Sequence, residues 1–213
     1  MKYEIIPSIL VENEDEFTEK IEMAEDFAET VHWDIMDGQF VESTSFRRLK
    51  NLNEMDTVLS LGVHLMVEDP EELLPELAAA GIDRVVAHAE AADDLDDLVS
   101  RMKKYDFEVG LAINPETDIE EIHSVLDDLD LVVVMTVVPG AGGQKMLPET
   151  LDKVKQLRQS HPNLNIEVDG GVNLQTIKLA KEAGANFFGV NSAIFESPDP
   201  VNAFEVLNAI IQD

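Results

Sequence analysis

Two short runs in the first third of the chain, His32–Gly38 (HWDIMDG) and Val63–Val67 (VHLMV), decide its fold. Both lie in stretches rich in β-branched residues, TVHWDIMD at 30–37 and VLSLGVHLMV at 58–67. Within each stretch, apolar residues alternate with His, Asp or Met, which is the two-residue period of a β-strand. We therefore expect two strands that direct their polar side chains to one face.

The same kind of run recurs along the whole chain and alternates with acidic amphipathic segments. The predicted strands span residues 4–10, 30–37, 58–67, 84–90, 108–114, 131–137, 165–171 and 187–195. The predicted helices lie near residues 14–28, 46–54, 70–80, 92–105, 117–128, 147–160, 173–183 and 199–212. Eight strand–helix pairs without a composition break predict an α/β fold, a single (β/α)8 TIM barrel over residues 1–213. An open doubly wound sheet is the alternative.

Helix boundaries are also predicted from capping residues. Asp69 or Pro70 is expected to open the third helix, and Asn173 the seventh. Gly81 and Gly184 follow the ends of helical segments and are expected to act as C-terminal stops.

The acidic composition argues against anionic macromolecules and membranes as binding partners. The 213 residues include 15 Lys and Arg against 44 Asp and Glu, a net charge of −29. Binding to nucleic acid or to an anionic membrane surface needs basic residues, so we expect neither partner. The acidic segments are expected to form a solvated outer ring. The absence of Cys and the short apolar stretch in MKYEIIPSIL indicate a cytoplasmic protein without a signal peptide.

Polar residues converge on the predicted barrel mouth. The alternation directs His32 and Asp34 inward from the second strand, His64 from the third and Asp169 from the seventh. The carboxyl ends of barrel strands form the active face. Two imidazoles and two carboxylates there suit one divalent ion, Zn²⁺, Fe²⁺, Mn²⁺ or Co²⁺, and four unpaired polar groups would otherwise be costly to bury.

Other inward residues have two interpretations each. His88 is either a core histidine, which we favour, or a neighbour of the site; His123 and His161 are expected on the surface. The methionines at 36, 66 and 135 either fill gaps or form an apolar wall that excludes water from a reaction centre. Ser8 could donate a hydrogen bond to a substrate oxygen.

Three backbone-rich loops follow the late strands. They are Pro139–Gln144 (PGAGGQ), Gly170–Gly171 and Asn191–Ser192. Exposed amide groups of glycine loops can surround a phosphate, and barrels often bind one after strands seven and eight. Lys145 could add a positive charge at the edge of the first loop.

Together these residues resemble the ribulose-phosphate 3-epimerase family over essentially the whole chain. The matching motifs are PSIL at 7–10, HWDIMDG at 32–38, VHLMV at 63–67, NPET at 114–117, MTVVPGAGGQ at 135–144, VDGGV at 168–172 and NSAIF at 191–195. The resemblance implies a ribulose-phosphate-binding barrel with His32, Asp34, His64 and Asp169 as metal ligands. Asp34 and Asp169 would also be the acid/base pair. The substrate contacts would be Ser8, Met36, His64, Met66, Met135, Gly140, Ala141, Gly142, Gly143, Gly170, Gly171, Asn191 and Ser192.

Several positions depart from the family pattern. The usual FVPNITFG is FVESTSFR at 40–47, with Glu42, Ser43 and Arg47 as the changes. Ala141 replaces an aromatic residue and Asn191 replaces a glycine, so a side chain enters the phosphate pocket. Gly62 stands where an acidic residue often precedes VHLMV.

The resemblance predicts a metal-dependent isomerase that inverts C3 of a ketose phosphate, D-ribulose 5-phosphate to D-xylulose 5-phosphate. One alternative is 3-epimerisation of another ketose, such as allulose 6-phosphate or a free sugar. Another is a non-catalytic barrel that binds sugar phosphates. The sequence leaves homo-oligomerisation open.

Overall fold

Eight parallel strands close into a barrel in the structure, a computed structural model that describes residues 1–49, 52, 55 and 57–213. The strands are β1 Glu4–Ile9, β2 Thr30–Met36, β3 Ser60–Met66, β4 Arg84–His88, β5 Glu108–Ile113, β6 Leu131–Met135, β7 Asn165–Asp169 and β8 Phe187–Val190. They pair in chain order, and β8 returns to pair with β1. The predicted (β/α)8 barrel is confirmed, and the single-domain assignment of residues 1–213 stays a prediction.

Helices cover the outside of the barrel. The described α-helices are α1 Glu14–Ala24, α2 Leu74–Ala79, α3 Leu95–Met102, α4 Leu151–Ser160, α5 Ile177–Ala183, α6 Ser192–Phe195 and α7 Pro200–Gln212. Short 3₁₀ turns span Pro70–Glu72, Ala89–Ala91, Ile119–Ile122, Leu126–Asp128 and Pro148–Thr150. Asp69 directly precedes the turn that opens with Pro70, as predicted.

Two predicted helices differ from the structure. Residues 117–128 form only the two 3₁₀ turns, because Asp and β-branched residues throughout this segment favour turns over an α-helix. Residues 46–49 of the predicted helix 46–54 are not helical, and 50, 51, 53 and 54 lie outside the described residues.

Two predicted element boundaries were also wrong. The strand expected at 187–195 ends at Val190, where the carbonyl of Asn191 accepts hydrogen bonds from the amides of Ile194 and Phe195 and starts α6. An apolar run alone does not separate strand from helix. Asn173 does not open α5. It heads a turn in which its Oδ1 accepts from the amide of Gln175 at 2.9 Å, and α5 begins four residues later.

The core has an outer and an inner part. The outer part lies between strands and helices and includes Val31, Trp33 and Ile35 of β2, all buried. The inner part fills the barrel and contains Ile6, Val86, Ala112, Leu131, Val133, Met135, Val137 and Phe187. Strand parity therefore separates the two faces as predicted.

Strand register sets the height of each inward side chain. In the pairing of β2 with β3, Asp34 is opposite His64 and Met36 is opposite Met66. On the far side of the barrel, Asp169 of β7 is opposite Met135 of β6. These side chains therefore reach the carboxyl end of the barrel at similar heights.

The outer surface carries the acidic segments. The first turn of α1 contains Glu14, Asp15 and Glu16, and all three are exposed. Asp96 and Asp97 are exposed in the first turn of α3. The expected acidic outer ring is therefore present. Among the described residues, no helix has the length and apolarity needed to span a membrane.

Gly81 and Gly184 offer a matched test of the helix ends. Both follow helices with positive φ, +77° and +116°, as predicted for C-terminal stops. A Cβ at Gly184 would lie 2.8 Å from Cβ of Arg158, whereas a Cβ at Gly81 meets nothing within 4 Å. Gly81→Ala should lower the free energy of unfolding by about 1–2 kcal/mol through backbone strain. Gly184→Ala should cost a further 1–3 kcal/mol, roughly, through overpacking.

Urea unfolding of the two variants and the parent measures this difference. Equal losses would show that Arg158 moves aside without cost. A smaller loss at Gly184 than at Gly81 would contradict the packing account.

Candidate active site

A cavity of about 800 Å³ opens at the carboxyl ends of the strands. Asp34 and Asp169 lie in its wall, together with every residue predicted to contact substrate except His64. Those wall residues are Ser8, Met36, Met66, Met135, Gly140, Ala141, Gly142, Gly143, Gly170, Gly171, Asn191 and Ser192. The cavity therefore gathers residues from the first strand to the last at one mouth.

Asp34, His64 and Asp169 form a compact group at the base of this cavity. His64 Nδ1 lies 3.4 Å from Asp34 Oδ1 and 3.5 Å from Asp169 Oδ2. One potential ligand atom from each residue lies within 4.8 Å of the other two. The His64 side chain is 1% exposed, and those of the two aspartates are 10% and 18% exposed. Three strands thus bring two carboxylates close to one imidazole nitrogen.

The group attracts positive charge strongly. Burial opposes a charged imidazole, but the hydrogen bonds from His64 to Asp169 and Asp34 outweigh burial and raise the pKa of His64 to about 10. Without a metal ion, a proton on Nδ1 therefore supplies the positive charge between the two carboxylates. A cation with suitable ligand geometry could replace that proton.

The two carboxyl groups differ in acidity. Burial raises the pKa of Asp34, and the negative charge of Asp169 raises it further. Burial also acts to raise the pKa of Asp169, but the hydrogen bond from His64 outweighs it and lowers that pKa. In the metal-free pair a proton therefore prefers Asp34. A bound cation lowers the pKa of both groups, so this order does not assign their roles in a reaction.

The residues fit a divalent cation. Ligand atoms bound to a tetrahedral ion at about 2.0–2.1 Å lie about 3.3–3.4 Å apart, close to the separations around His64 Nδ1. Asp34 Oδ1 is buried, and apart from His64 Nδ1 at 3.4 Å it has no hydrogen-bond partner among the described residues. A nitrogen and carboxylate oxygens without sulfur suit Zn²⁺, Fe²⁺, Mn²⁺ or Co²⁺.

His32 lies one layer deeper than this group. Its Nδ1 is 3.2 Å from Glu167 Oε1, and its Nε2 is 3.5 Å from Nη1 of Arg84. A Cβ at Gly62 would lie 2.5 Å from the ring of His32, so the missing acidic residue at position 62 makes room for this ring. The prediction that His32 is a fourth ligand stays a prediction.

His88 contacts the site, contrary to the interpretation as a core histidine that we favoured. Its Nε2 lies 3.0 Å from His64 Nε2, and its Nδ1 lies 3.1 Å from Glu90 Oε2. Burial lowers the pKa of His88 to about 4. The sequence signal for this contact was the position of His88 at the carboxyl end of β4, one strand from His64. His123 is exposed as predicted, and His161 is half-buried.

The cavity wall combines apolar and polar surface. Met36, Met66 and Met135 are each 3% exposed and border the aspartates. Ser8 Oγ is buried and has no hydrogen-bond partner among the described residues. Ser8 therefore has a hydroxyl available for a bound molecule.

Glycines shape the loops on the opposite side of the cavity. Gly171 has φ +66°, and a Cβ there would lie 2.3 Å from the amide nitrogen of Met146, so only glycine fits. Gln144 Nε2 donates to the carbonyls of Val138 at 2.7 Å and Ala141 at 2.9 Å and closes the first loop on itself. Asn191 has φ −104°, a value open to any residue. Its side chain does not strain the backbone.

Further residues of the wall were not predicted. Asn173, Gln175 and Thr176 follow β7, and Glu196 and Ser197 follow α6. Lys145, by contrast, was predicted at the edge of the first loop; it lines the cavity and is exposed. Because all segments after parallel strands meet at the same edge, extending the motif search past Gly171 and Ser192 would have found them.

Comparison with solved structures supports the fold. The chain matches a crystal structure of KGPDC from Streptococcus mutans with a TM-score of 0.77 and 14% identity, covering 100% of this chain and 98% of that one. A 3-hexulose-6-phosphate synthase from Salmonella typhimurium matches with a TM-score of 0.73 and 16% identity, covering 98% of each chain. At these identities the likeness concerns the barrel fold alone.

Sequence relatives are much closer. Ribulose-phosphate 3-epimerase of Bacillus subtilis is 40% identical over 178 residues, 81% of this chain and 82% of the relative. The Schizosaccharomyces pombe and Escherichia coli K12 proteins of that name are 38% and 36% identical; the alignments cover 80% and 81% of this chain and 76% and 79% of the relatives. The model of the ribulose-phosphate 3 epimerase family matches residues 4–195. The chain therefore belongs to the ribulose-phosphate 3-epimerase family and is an enzyme of the isomerase class.

Proposed function

We propose that this enzyme interconverts D-ribulose 5-phosphate and D-xylulose 5-phosphate by inverting C3 in the presence of one divalent cation. The placement of Asp34 and Asp169 in the wall of one cavity, each within 3.5 Å of His64 Nδ1, carries the proposal. Family membership supports the reaction type. The cytoplasmic location, the absence of nucleic-acid partners and any homo-oligomer stay predictions.

Inversion at C3 needs two proton carriers. The C3 proton is acidic because it is alpha to the C2 carbonyl, and its removal leaves a planar enediolate. One carboxylate removes the proton from one face, and a carboxylic acid returns a proton to the other face. We assign Asp34 as the base and Asp169 as the acid in the forward direction, an assignment taken from the family resemblance. The roles exchange in the reverse direction.

Asp34, His64 and Asp169 would hold the cation. When bound, such an ion supplies positive charge that stabilises the negative charge developing on the substrate oxygens. We retain His32 as a proposed fourth ligand on the family resemblance. The buried methionines at positions 36, 66 and 135 exclude water from the planar anion, so that protons move only between substrate and carboxyl groups.

We place the phosphate among the glycine loops on the opposite side of the cavity. The amides of Gly142, Gly143, Gly170 and Gly171 are the proposed donors, because backbone groups approach an anion closely where no Cβ intervenes. Lys145 adds a positive charge at the rim. Local donors are needed here because the protein as a whole carries a charge of −29.

The altered substrate shell supports a second candidate. Asn191 and Ala141 line the cavity at positions where the family pattern has glycine and an aromatic residue. These changes leave the proton carriers intact but alter the phosphate end. The second candidate is therefore 3-epimerisation of another ketose, such as allulose 6-phosphate or an unphosphorylated sugar.

Substrate choice and chemistry can be tested together in deuterated water. With D-ribulose 5-phosphate, the product should be D-xylulose 5-phosphate with deuterium at C3, because the returned proton comes from a carboxyl group that exchanges with solvent. NMR and mass spectrometry locate the deuterium in the product. Parallel reactions with allulose 6-phosphate and free ketoses separate the two candidates. Binding without exchange for every sugar would instead mean a non-catalytic barrel.

Replacing one proton carrier should stop the reaction. Asp169→Asn should lower kcat about 10²–10⁴-fold, because an amide neither gives nor takes the proton. Asp96→Asn removes an equal charge from the exposed face of α3 and should leave kcat unchanged. Steady-state kinetics on folded protein, checked by circular dichroism, give the comparison. A near-normal rate for Asp169→Asn would remove Asp169 from the proton pathway.

Metal removal should also stop the reaction. Protein purified without chelator should contain about one transition-metal ion per chain by elemental analysis, because the described part of the chain contains one cluster of three ligand residues. Dialysis against a strong chelator should abolish turnover, and Zn²⁺, Fe²⁺, Mn²⁺ or Co²⁺ added singly should restore it. Full activity in metal-free protein would contradict a metal-dependent mechanism.

A further inference from the structure

We infer that Glu90 and His88 are positioning residues that hold the ring of His64 so that Nδ1, the nitrogen facing Asp34 and Asp169, is the one available to bind the cation. The inference rests on the proposed cation site. It concerns which nitrogen of His64 carries a hydrogen, a choice that decides whether the ring can bind a cation at all. A chain of hydrogen bonds through the barrel wall makes that choice.

The chain of hydrogen bonds begins at Glu90, just after β4. Its Oε1 accepts hydrogen bonds from the backbone amide of Asn114, at 2.7 Å, and from the hydroxyl of Thr117. An amide N–H can only donate, so Oε1 of Glu90 is an acceptor and carries no hydrogen. Burial opposes the charge, but hydrogen bonds from His88, Thr117 and Asn114 lower the pKa of Glu90 to about 2. Its second oxygen, Oε2, faces His88.

His88 connects Glu90 to His64 through its two ring nitrogens. Because Oε2 of Glu90 accepts at 3.1 Å, Nδ1 of His88 carries the hydrogen. The ring of His88 is fully buried, which favours the neutral form, so its Nε2 is an acceptor. That nitrogen lies 3.0 Å from His64 Nε2, and the two ring planes differ by 17°. Nearly parallel planes suit a hydrogen bond between ring nitrogens, because the donor hydrogen and the lone pair lie in the ring planes.

His64 completes the chain. Since Nε2 of His88 accepts, Nε2 of His64 donates, and the neutral ring of His64 has its lone pair on Nδ1. That nitrogen is the one that lies 3.4 Å from Asp34 Oδ1 and 3.5 Å from Asp169 Oδ2. The opposite tautomer would direct an N–H at the cation. Glu90 therefore prevents a tautomer that would block the site.

The loop that follows β5 is built to hold Glu90. Lys153 Nζ of α4 donates to the carbonyls of Asn114 at 2.8 Å, Pro115 at 2.7 Å and Thr117 at 2.5 Å. These bonds fix the loop whose Asn114 backbone amide donates to Glu90. The NPET run at 114–117, which no step of the proposed reaction uses, thereby gains a role in preparing the cation site.

The parent protein tests the inference directly. Histidine ¹⁵N NMR separates protonated from unprotonated ring nitrogens. His88 should carry its hydrogen on Nδ1 and not on Nε2, in both the metal-free and the Zn²⁺-loaded protein. In the loaded protein, His64 should be protonated on Nε2. A hydrogen on Nε2 of His88 in the metal-free protein would overturn the inference.

Glu90→Gln tests the energetic consequence. Glutamine keeps the shape of the glutamate side chain. Its single carbonyl oxygen cannot accept from His88 Nδ1 and from the backbone amide of Asn114 at once, so His88 is no longer held in the tautomer with hydrogen on Nδ1. Affinity for Zn²⁺ and Co²⁺, measured by competition with a chelator, should fall about 10–100-fold. The matched control is Glu116→Gln, which removes the same charge from an exposed position in the loop after β5 and should bind both metals like the parent.

The outcomes separate this inference from the proposed function. A weaker metal affinity in Glu90→Gln, with an altered His88 spectrum, supports the positioning role whatever sugar the enzyme accepts. Affinity within twofold of the parent would overturn it, even if the parent epimerises ribulose 5-phosphate. If Glu90→Gln does not fold, the His88 spectrum of the parent decides the question alone.

Discussion

The direct pairing of Asp34 with His64 across β2 and β3 is the constraint on which the rest of the site depends. A slip of one residue in β2 would turn Asp34 outward and away from His64, because successive residues of a strand face opposite sides of the sheet. The slip is prevented by the outward residues of β2, Val31, Trp33 and Ile35, which are buried against the helices. Apolar packing outside the barrel therefore holds the polar group inside it.

Charge acts at two levels in this molecule. The surface is strongly acidic, so it repels anions at long range, and added salt screens that repulsion. At the cavity, the attraction must come from nearby groups. The two carboxylates around His64 attract a cation, and the cation and the amides of the glycine loops would then attract an anionic sugar phosphate. The acidity of the chain is thus compatible with an anionic substrate only because the cavity is locally different.

Polar side chains inside the barrel form two layers. The upper layer contains Asp34, His64 and Asp169 and faces the cavity. In the lower layer His32 lies beside Glu167, and the guanidinium of Arg84 binds Glu108 with an Nε–Oε2 distance of 2.7 Å. The carboxylate of Glu108 reduces the cost of burying the guanidinium of Arg84. The barrel interior is therefore a support for the site as well as an apolar core.

The sequence by itself determined the barrel and the inward direction of the site residues, because both follow from local periodicity. Seven of the eight strands begin at the predicted residue, and the wall of the cavity contains the predicted loops. Turn formation at Asn191 and the 3₁₀ turns of the β5–β6 connection were not predicted, since short apolar or acidic runs fit more than one local structure. Only the tertiary structure decided that Nδ1 of His64 lies within 3.5 Å of both Asp34 and Asp169, and that Nε2 of His64 contacts His88, which in turn contacts Glu90. Those facts depend on the register and the height of strands far apart in the chain, which no local pattern encodes.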